Sequence, residues 1–415
     1  MSTPAARLAT PEHATAPVTP DSPAFRQLVA EIAALPPDSG RATRGPHDAI
    51  DIIRRARFGA FRVPRAEGGG GASLRQFYAA LIELAAANAD VPHILRAHFW
   101  FVEERLRSPD RDVRQRWLDR VVNGEIFGNA MSELGGSAAV GSWAFQTTLT
   151  PDGAGYRLHG TKFYCTGTLF SDWTNVFAVL PNGELASACI PVNRAGVELS
   201  DDWDGIGQPY TGSGTIRFDQ VWVAPDEVLR SAVDTAEVAA ASKRGDPYLI
   251  GQICQLILTS IIAGILRSVA TDAARLLRER SRSYSHGVTA SPAGDPLLQQ
   301  VVGEIASAAF AAESIVLAAA DAQDRAAAAP DDFDLAHEGS VRAAQAKVVV
   351  DELAQRAASQ LFDAGGSSAV RQSAGLDRHW RNIRTLASHN PAPYKARAVG
   401  DWLVNATELP NSGFF

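Results

Sequence analysis

Apolar residues recur at helical spacing early in the chain: Phe25, Leu28, Val29 and Ile32, then Ile50 and Ile53, then the apolar positions of residues 74–86. That period predicts helices across residues 22–122. Between them lies FRVPRAEGGGGAS, whose four glycines, Gly68 to Gly71, read as a loop. No GK[ST] follows the glycines, so their phosphate signal is weak. After Asn88-Ala89-Asp90 comes VPHILRAHFWFVEERLR, read as one aromatic-rich helix with His93 and Ala97 a turn apart on one face. Such a helix is more often core than pocket.

Near Ile126 the period changes. Trp143, Phe145, Thr147 and Leu149 alternate, Pro151-Asp152-Gly153 makes a turn, and Tyr156, Leu158 and Gly160 continue the pattern. Asp172 to Leu180, Leu185 to Val192 and Thr215 to Val223 are further strand candidates. Short strands at this spacing predict a compact antiparallel barrel or sandwich from about Gly128 to Leu229.

After Asp246-Pro247 the helical period returns. Leu249 to Leu266 is strongly apolar but carries Gln252, Gln255, Thr259 and Ser260, which fits a buried core helix better than a membrane span. Leu298, Val302, Ile305, Ala309, Ala312 and Val316 form a bundle stripe. Pro330-Asp331-Asp332 separates it from a helix of about Asp334 to Asp363, which Gly365-Gly366 ends. A basic helix then runs into RNIRTLASHNPAPYK, Arg381 to Lys395, and the break at Asn390-Pro391 puts His389 at a helix end. Histidine titrates nearest neutrality, so His389 is a candidate for proton chemistry; packing or capping alone is the competing reading.

The pattern gives an α+β chain of four parts: a disordered tail over 1–21, helices over 22–127, a β domain over 128–235 and a helical bundle over 236–415. No βαβ repeat appears, so a doubly wound nucleotide fold is not supported. Composition adds limits. Apolar residues make up 46% and charged residues 20% of 415, as in soluble globular proteins. The net charge of -7 is dispersed, which argues against a nucleic-acid surface. Cys165, Cys189 and Cys254 have no paired spacing, so neither a disulfide framework nor a metal site is expected, and a reducing cytoplasm fits. The Ala/Pro/Thr-rich start has no apolar signal segment.

Five segments stand out: GNAMSE from Gly128, GTKFYCTG from Gly160, DDWDGIG from Asp201, DRHWRNIRT from Asp377 and HNPAPYK from His389. Over roughly residues 22–410 this layout resembles the acyl-CoA dehydrogenase superfamily, and within it the dibenzothiophene monooxygenase-like flavin enzymes. The resemblance implies the acyl-CoA dehydrogenase fold: an N-terminal helical domain, a central antiparallel β domain and a C-terminal four-helix bundle. It implies a two-component monooxygenase that receives reduced FMN from a separate flavin reductase. One atom of O2 would enter a small apolar substrate, sulfur-containing or aromatic, through a C4a-hydroperoxyflavin. It also implies a homotetramer with flavin sites near subunit contacts; FAD stays open beside FMN.

Carried over residue by residue, the resemblance places His389, Thr166 and Asn129 in catalysis. Asn129, Met131, Ser132, Tyr164, Thr166 and Trp203 would line the flavin. Arg282 in RERSRSYSHG resembles a phosphate arginine; a second falls on Ser368, where Arg371, three residues on, is the substitute. His93 matches a pocket histidine, Ala97 stands where the relative has tyrosine, and Trp100 and Tyr210 complete the expected substrate pocket. The chain departs from true acyl-CoA dehydrogenases at their catalytic carboxylate, where it reads His389-Asn390-Pro391. Their alternative position falls at Arg244-Gly245-Asp246, so a dehydrogenase using Asp246 and bound FAD is one competing reading. An amine N-hydroxylase of the same fold and a catalytically dead flavoprotein are others.

Overall fold

The computed structural model describes residues 16–35, 45–134, 145–230, 246–411 and 415. Its helices begin where short polar side chains cap them. Ser22 accepts from the Phe25 amide to start α1 (Pro23–Ala33), and Ser73 and Gln76 form a reciprocal capping box at α3 (Leu74–Ala87). Between them lies α2 (Gly45–Arg55), and after them α4 (Asp90–Ile94), α5 (Arg96–Leu106) and α6 (Arg111–Val122). The single helix expected over 91–107 is therefore two, divided at Leu95. The expected tail also ends early: Val18 is buried and its amide donates to the Ala56 carbonyl at 3.1 Å.

The β domain holds β1 (Phe127–Ala130), β2 (Thr148–Asp152), β3 (Gly155–Lys162), β4 (Trp173–Val179), β5 (Leu185–Pro191), β6 (Val197–Leu199), β7 (Ile216–Val223) and β8 (Val228–Arg230). The strand order is β6-β7-β3-β2-β4-β5-β8, with β1 added on β4. The sheet is mixed rather than wholly antiparallel, because β1 and β2 both run parallel to β4. Parallel neighbours need a crossover, and the β2–β3 hairpin lies within the one between β1 and β4. Trp143 of the expected alternation lies outside the described residues.

The bundle is built on α7 (Asp246–Glu279), α8 (Pro296–Ala328) and α9 (Phe333–Gly365), closed by α10 (Asp377–Ala387) and α11 (Ala392–Asn405). Asp295 and Asp332 cap α8 and α9. In α7, Ile253, Leu256, Ile257, Ile261, Ile262 and Leu266 are all buried, as the expected core helix requires. Its polar residues are satisfied locally: Ser260 donates to the Leu256 carbonyl at 2.7 Å and Thr259 to that of Gln255 at 3.3 Å. Two described helices are long and apolar enough to cross a bilayer. The most apolar 18 residues of α7 are 94% buried within the protein, whereas α8 turns Leu297 and Phe310 outward.

Two sets of contacts lock neighbouring elements together. His98 on α5 is fully buried; its Nε2 meets the Gly59 carbonyl at 3.0 Å and its Nδ1 accepts from the Phe127 amide of β1 at 3.1 Å. A Cβ at Gly59 would lie 2.7 Å from that ring, so only glycine admits it. On the other side, Asp272 of α7 binds Arg275, Arg378 and His379, at 2.9, 2.8 and 2.8 Å, which clamps α10 to the bundle.

Candidate active site

The loop after Asp201 delivers Gln208, a fully buried residue that joins three domains' worth of side chains. Its Oε1 accepts from His93 Nδ1 at 2.9 Å. Its amide donates to Asn382 Oδ1 on α10 at 2.7 Å. Its carbonyl accepts from Trp203 Nε1 at 2.9 Å and from the Thr211 hydroxyl at 3.0 Å. The approach to α10 depends on Gly207, where a Cβ would fall 2.2 Å from the Arg381 carbonyl. Gln208 itself has φ +54° and Tyr164 has φ +57°, left-handed values that bulky residues adopt at a cost of about 1–3 kcal/mol each. Two such residues in one corner mark a place where the surroundings dictate backbone shape.

From Thr211 a row of hydroxyls leads to Thr166: Thr211 to Ser213 at 2.7 Å, and Ser213 to Thr166 at 2.8 Å. The proton order is set at the carbonyl end. Thr211 spends its proton on Gln208, so Ser213 donates to Thr211 and Thr166 donates to Ser213. Thr166 Oγ1 is left with lone pairs to offer.

His389 follows the end of α10, its amide held by the Leu386 carbonyl at 3.2 Å. Arg96 Nη1 lies 3.1 Å from His389 Nε2, and Arg96 Nε donates to the Cys254 carbonyl at 3.2 Å. A guanidinium only donates, so Nε2 is the accepting nitrogen and the ring proton sits on Nδ1. The residue keeps solvent access, while the protein atoms gathered around it lower its pKa well below the usual histidine range: desolvation first, then the charges of Arg96, His93, Lys347 and Lys395. His93 is buried and pulled down to about 4, first by burial and then by Arg96.

The two flavin-like motifs meet through a buried pair. Lys162 of GTKFYCTG is wholly inaccessible and donates to Glu133 at 2.7 Å and to the Met131 carbonyl at 3.1 Å, while the Ser132 carbonyl accepts from the Phe163 amide at 2.8 Å. Burial comes first in lowering the Lys162 pKa, opposed by Glu133. Asn129 exchanges backbone hydrogen bonds with the Thr168 hydroxyl, and its side-chain Oδ1 is buried without a partner. The exposed Tyr164 ring stands edge-on to Trp203, 6.2 Å between centroids. Ala97 is buried, Trp100 stacks on Phe177 at 5.9 Å, and Tyr210 is half-buried in the Gln208–Thr211 turn.

Of the expected residues, His93, Thr166 and Trp203 are joined by hydrogen bonds through Gln208, while His389 bonds Arg96, whose charge also acts on His93. Arg282 and Arg371 are exposed and hydrogen-bond to none of this. Their loops do adjoin, since a Cβ at Gly366 would lie 2.3 Å from the Tyr284 hydroxyl. Asp246 opens α7, but its side chain lies outside the described residues. Gln208, Arg96, Asn382 and Ser213 were not anticipated; Asn382 lies within DRHWRNIRT and Gln208 immediately follows DDWDGIG, so position beside a motif was the available signal.

An N–H acceptor at Asn129, an acceptor at Thr166, an unpartnered buried amide at Gln208 Nε2 and flat aromatic rings are the features an isoalloxazine requires. Fold and site together define a flavin-dependent oxidoreductase on the acyl-CoA dehydrogenase scaffold. The acyl-CoA dehydrogenase C-terminal domain family matches residues 256–392. Dibenzothiophene monooxygenase of Mycolicibacterium goodii is 31% identical over 362 residues, 85% of each chain. A probable FMNH2-dependent monooxygenase of Pseudomonas putida, SfnC, is 28% identical over 406 residues, 94% of this chain and 97% of that one. The solved structure of FMN-bound TdsC from Paenibacillus sp. A11-2 has a TM-score of 0.84 at 31% identity, covering 94% of this chain and 99% of the other. The chain belongs to the dibenzothiophene monooxygenase family of flavin-dependent monooxygenases.

Proposed function

We propose that the chain is the oxygenase of a two-component system. It takes reduced FMN from a separate flavin reductase and transfers one atom of O2 to a small sulfur-containing or aromatic molecule. Asn129, Met131, Ser132, Tyr164, Thr166 and Trp203 would hold the flavin ring, with Arg282 and Arg371 on its phosphate. His93, Ala97, Trp100 and Tyr210 would border the substrate. The outward apolar residues of α8, Leu297 and Phe310, support a homotetramer, and the buried free thiols of Cys165, Cys189 and Cys254 support a cytoplasmic setting.

When bound, reduced FMN supplies the electrons that activate O2. The chain's part is to orient, to exclude water and to place protons. The observation that carries the reading is the fixed proton order. Thr166 Oγ1 is an acceptor, which suits a reduced flavin, whose N5 bears an N–H, better than an oxidised one. His389 keeps its proton on Nδ1, which has no described partner and is available to an oxygen atom in the site. Asn129 Oδ1 and Gln208 Nε2 are the polar groups left for the ring edge.

The test is oxygen incorporation. Purified protein, photoreduced FMN, 18O2 and dibenzothiophene are mixed, and product is analysed by mass spectrometry. One labelled oxygen per transfer is expected. Quantitative release of peroxide with dibenzothiophene, thioanisole and indole alike would refute the reading.

A further inference from the structure

Positive charge gathers around His389. Arg96 faces it with a guanidinium whose described partners are a carbonyl and the imidazole itself. Lys395 is buried, and its ammonium sits 3.7 Å from the Phe415 ring centroid with no carboxylate among its described partners. Lys347 is buried on α9, bonded to Asp351 at 2.8 Å and to the Ala387 carbonyl at 3.3 Å, two residues before His389. Among the described residues only Lys347 of the three bonds a carboxylate, and Asp351, itself buried, is drawn toward its neutral form by that burial. Burial likewise brings Lys395 down to about 7, with Lys347 adding to it. A lysine in that position sheds its proton more readily, whereas the half-buried Arg96 guanidinium keeps its charge and has donors to spare for an anion.

We infer that Arg96, supported by Lys395 and Lys347, forms an oxyanion subsite beside His389, and that the natural substrate is a small organic acid bearing a carboxylate or sulfinate near the atom to be oxygenated. This rests on the oxygenase reading and narrows its substrate class. Arg96 is a specificity residue here: it would fix the acid group while the oxygen transfer happens elsewhere on the molecule.

The test uses a matched pair, 4-(methylthio)benzoate and its methyl ester, which present the same thioether with and without a charge. With FMN, a flavin reductase and O2, the acid is expected to exceed the ester in kcat/KM by about 10- to 100-fold, the range of one charge-assisted contact, through KM. In Arg96→Gln the acid-to-ester ratio should fall to about 1. Equal use of acid and ester by the wild type, or a preference that survives Arg96→Gln, overturns the subsite. If neither compound is oxygenated, calorimetry on the FMN-loaded protein decides. Binding of 4-(methylthio)benzoate that Arg96→Gln abolishes upholds the subsite, and absence of binding overturns it. The oxygenase reading stands or falls separately, on 18O incorporation from neutral substrates.

Discussion

His98 gives a prediction whose size follows from its surroundings. The ring is wholly buried, its Nε2 bonded to the Gly59 carbonyl and its Nδ1 to the Phe127 amide, so both nitrogens are satisfied only in the neutral form. Burial, with Arg54 adding to it against the Gly59 bond, pulls the pKa from 6.5 to about 4. The folded pKa is below the unfolded one, so between these values the unfolded chain binds more protons. Stability therefore falls as pH drops from 6.5 to 4 and levels off below. Integrating the two titrations from pH 7 to pH 5 gives a loss of about 2 kcal/mol from this residue. The perturbation is His98→Gln, which cannot titrate. Urea denaturation of wild type and variant at pH 7 and pH 5 would be followed by circular dichroism. The variant starts lower, through a weakened α5–β1 joint, but its loss between the two pH values should be smaller than wild type's by about 2 kcal/mol. His93, with the same depression, remains in both and cancels. An unchanged pH difference in the variant would refute the neutral, doubly bonded ring.

Three other outcomes follow from the same geometry. His389→Ala should lower product formation about 100-fold or more while FMN still binds, with peroxide released instead; product at wild-type yield removes His389 from the chemistry. Ser213→Ala returns the Thr166 proton to the site, and should raise the affinity for oxidised relative to photoreduced FMN about fivefold, one hydrogen bond's worth; an unmoved ratio would show that the hydroxyl row is oriented otherwise. Asp272→Asn strips the shared partner from Arg275, Arg378 and His379 and should cost about 3 kcal/mol. Thermal unfolding at the wild-type midpoint would show that this clamp holds nothing.

The long elements were legible because burial imposes a period. The stripe from Leu298 to Val316 and the apolar run of α7 are written by what they pack against. β1, β6 and β8 were not legible as strands, since three or four residues carry no period and exist as strands only by pairing with β4, β7 and β5. The parallel pairing of β1 is a matter of chain routing, which local residues do not encode. In the site, rings and hydroxyls could be nominated: Thr166, Trp203 and His389 inside motifs, and His93 on the aromatic-rich stretch of 91–107. Gln208 was not, because it falls one residue past DDWDGIG and its role shows only in its partners, His93, Asn382, Trp203 and Thr211. Arg96 reads as the solvated face of a helix until α10 returns His389 to it from 293 residues further on. Lys347 likewise looks like a surface charge on an alanine-rich helix, and proves to be buried.

The tautomer of His389 bears on the choice between oxygen transfer and acyl-CoA dehydrogenation. A dehydrogenase must remove a carbon-bound proton, so its base needs an unoccupied lone pair aimed at the substrate. The imidazole here has its one lone-pair nitrogen occupied by Arg96. Desolvation, with its positive neighbours adding to it, holds its pKa well below the usual value, which makes it a poorer base again. What it retains is an N–H on Nδ1, the equipment of a donor. Asn390 adds an amide, which takes no proton. A corner built from donors and cations stabilises negative charge arriving on oxygen and is badly suited to abstracting a proton from carbon. Proton abstraction would require a carboxylate that His389-Asn390-Pro391 does not contain.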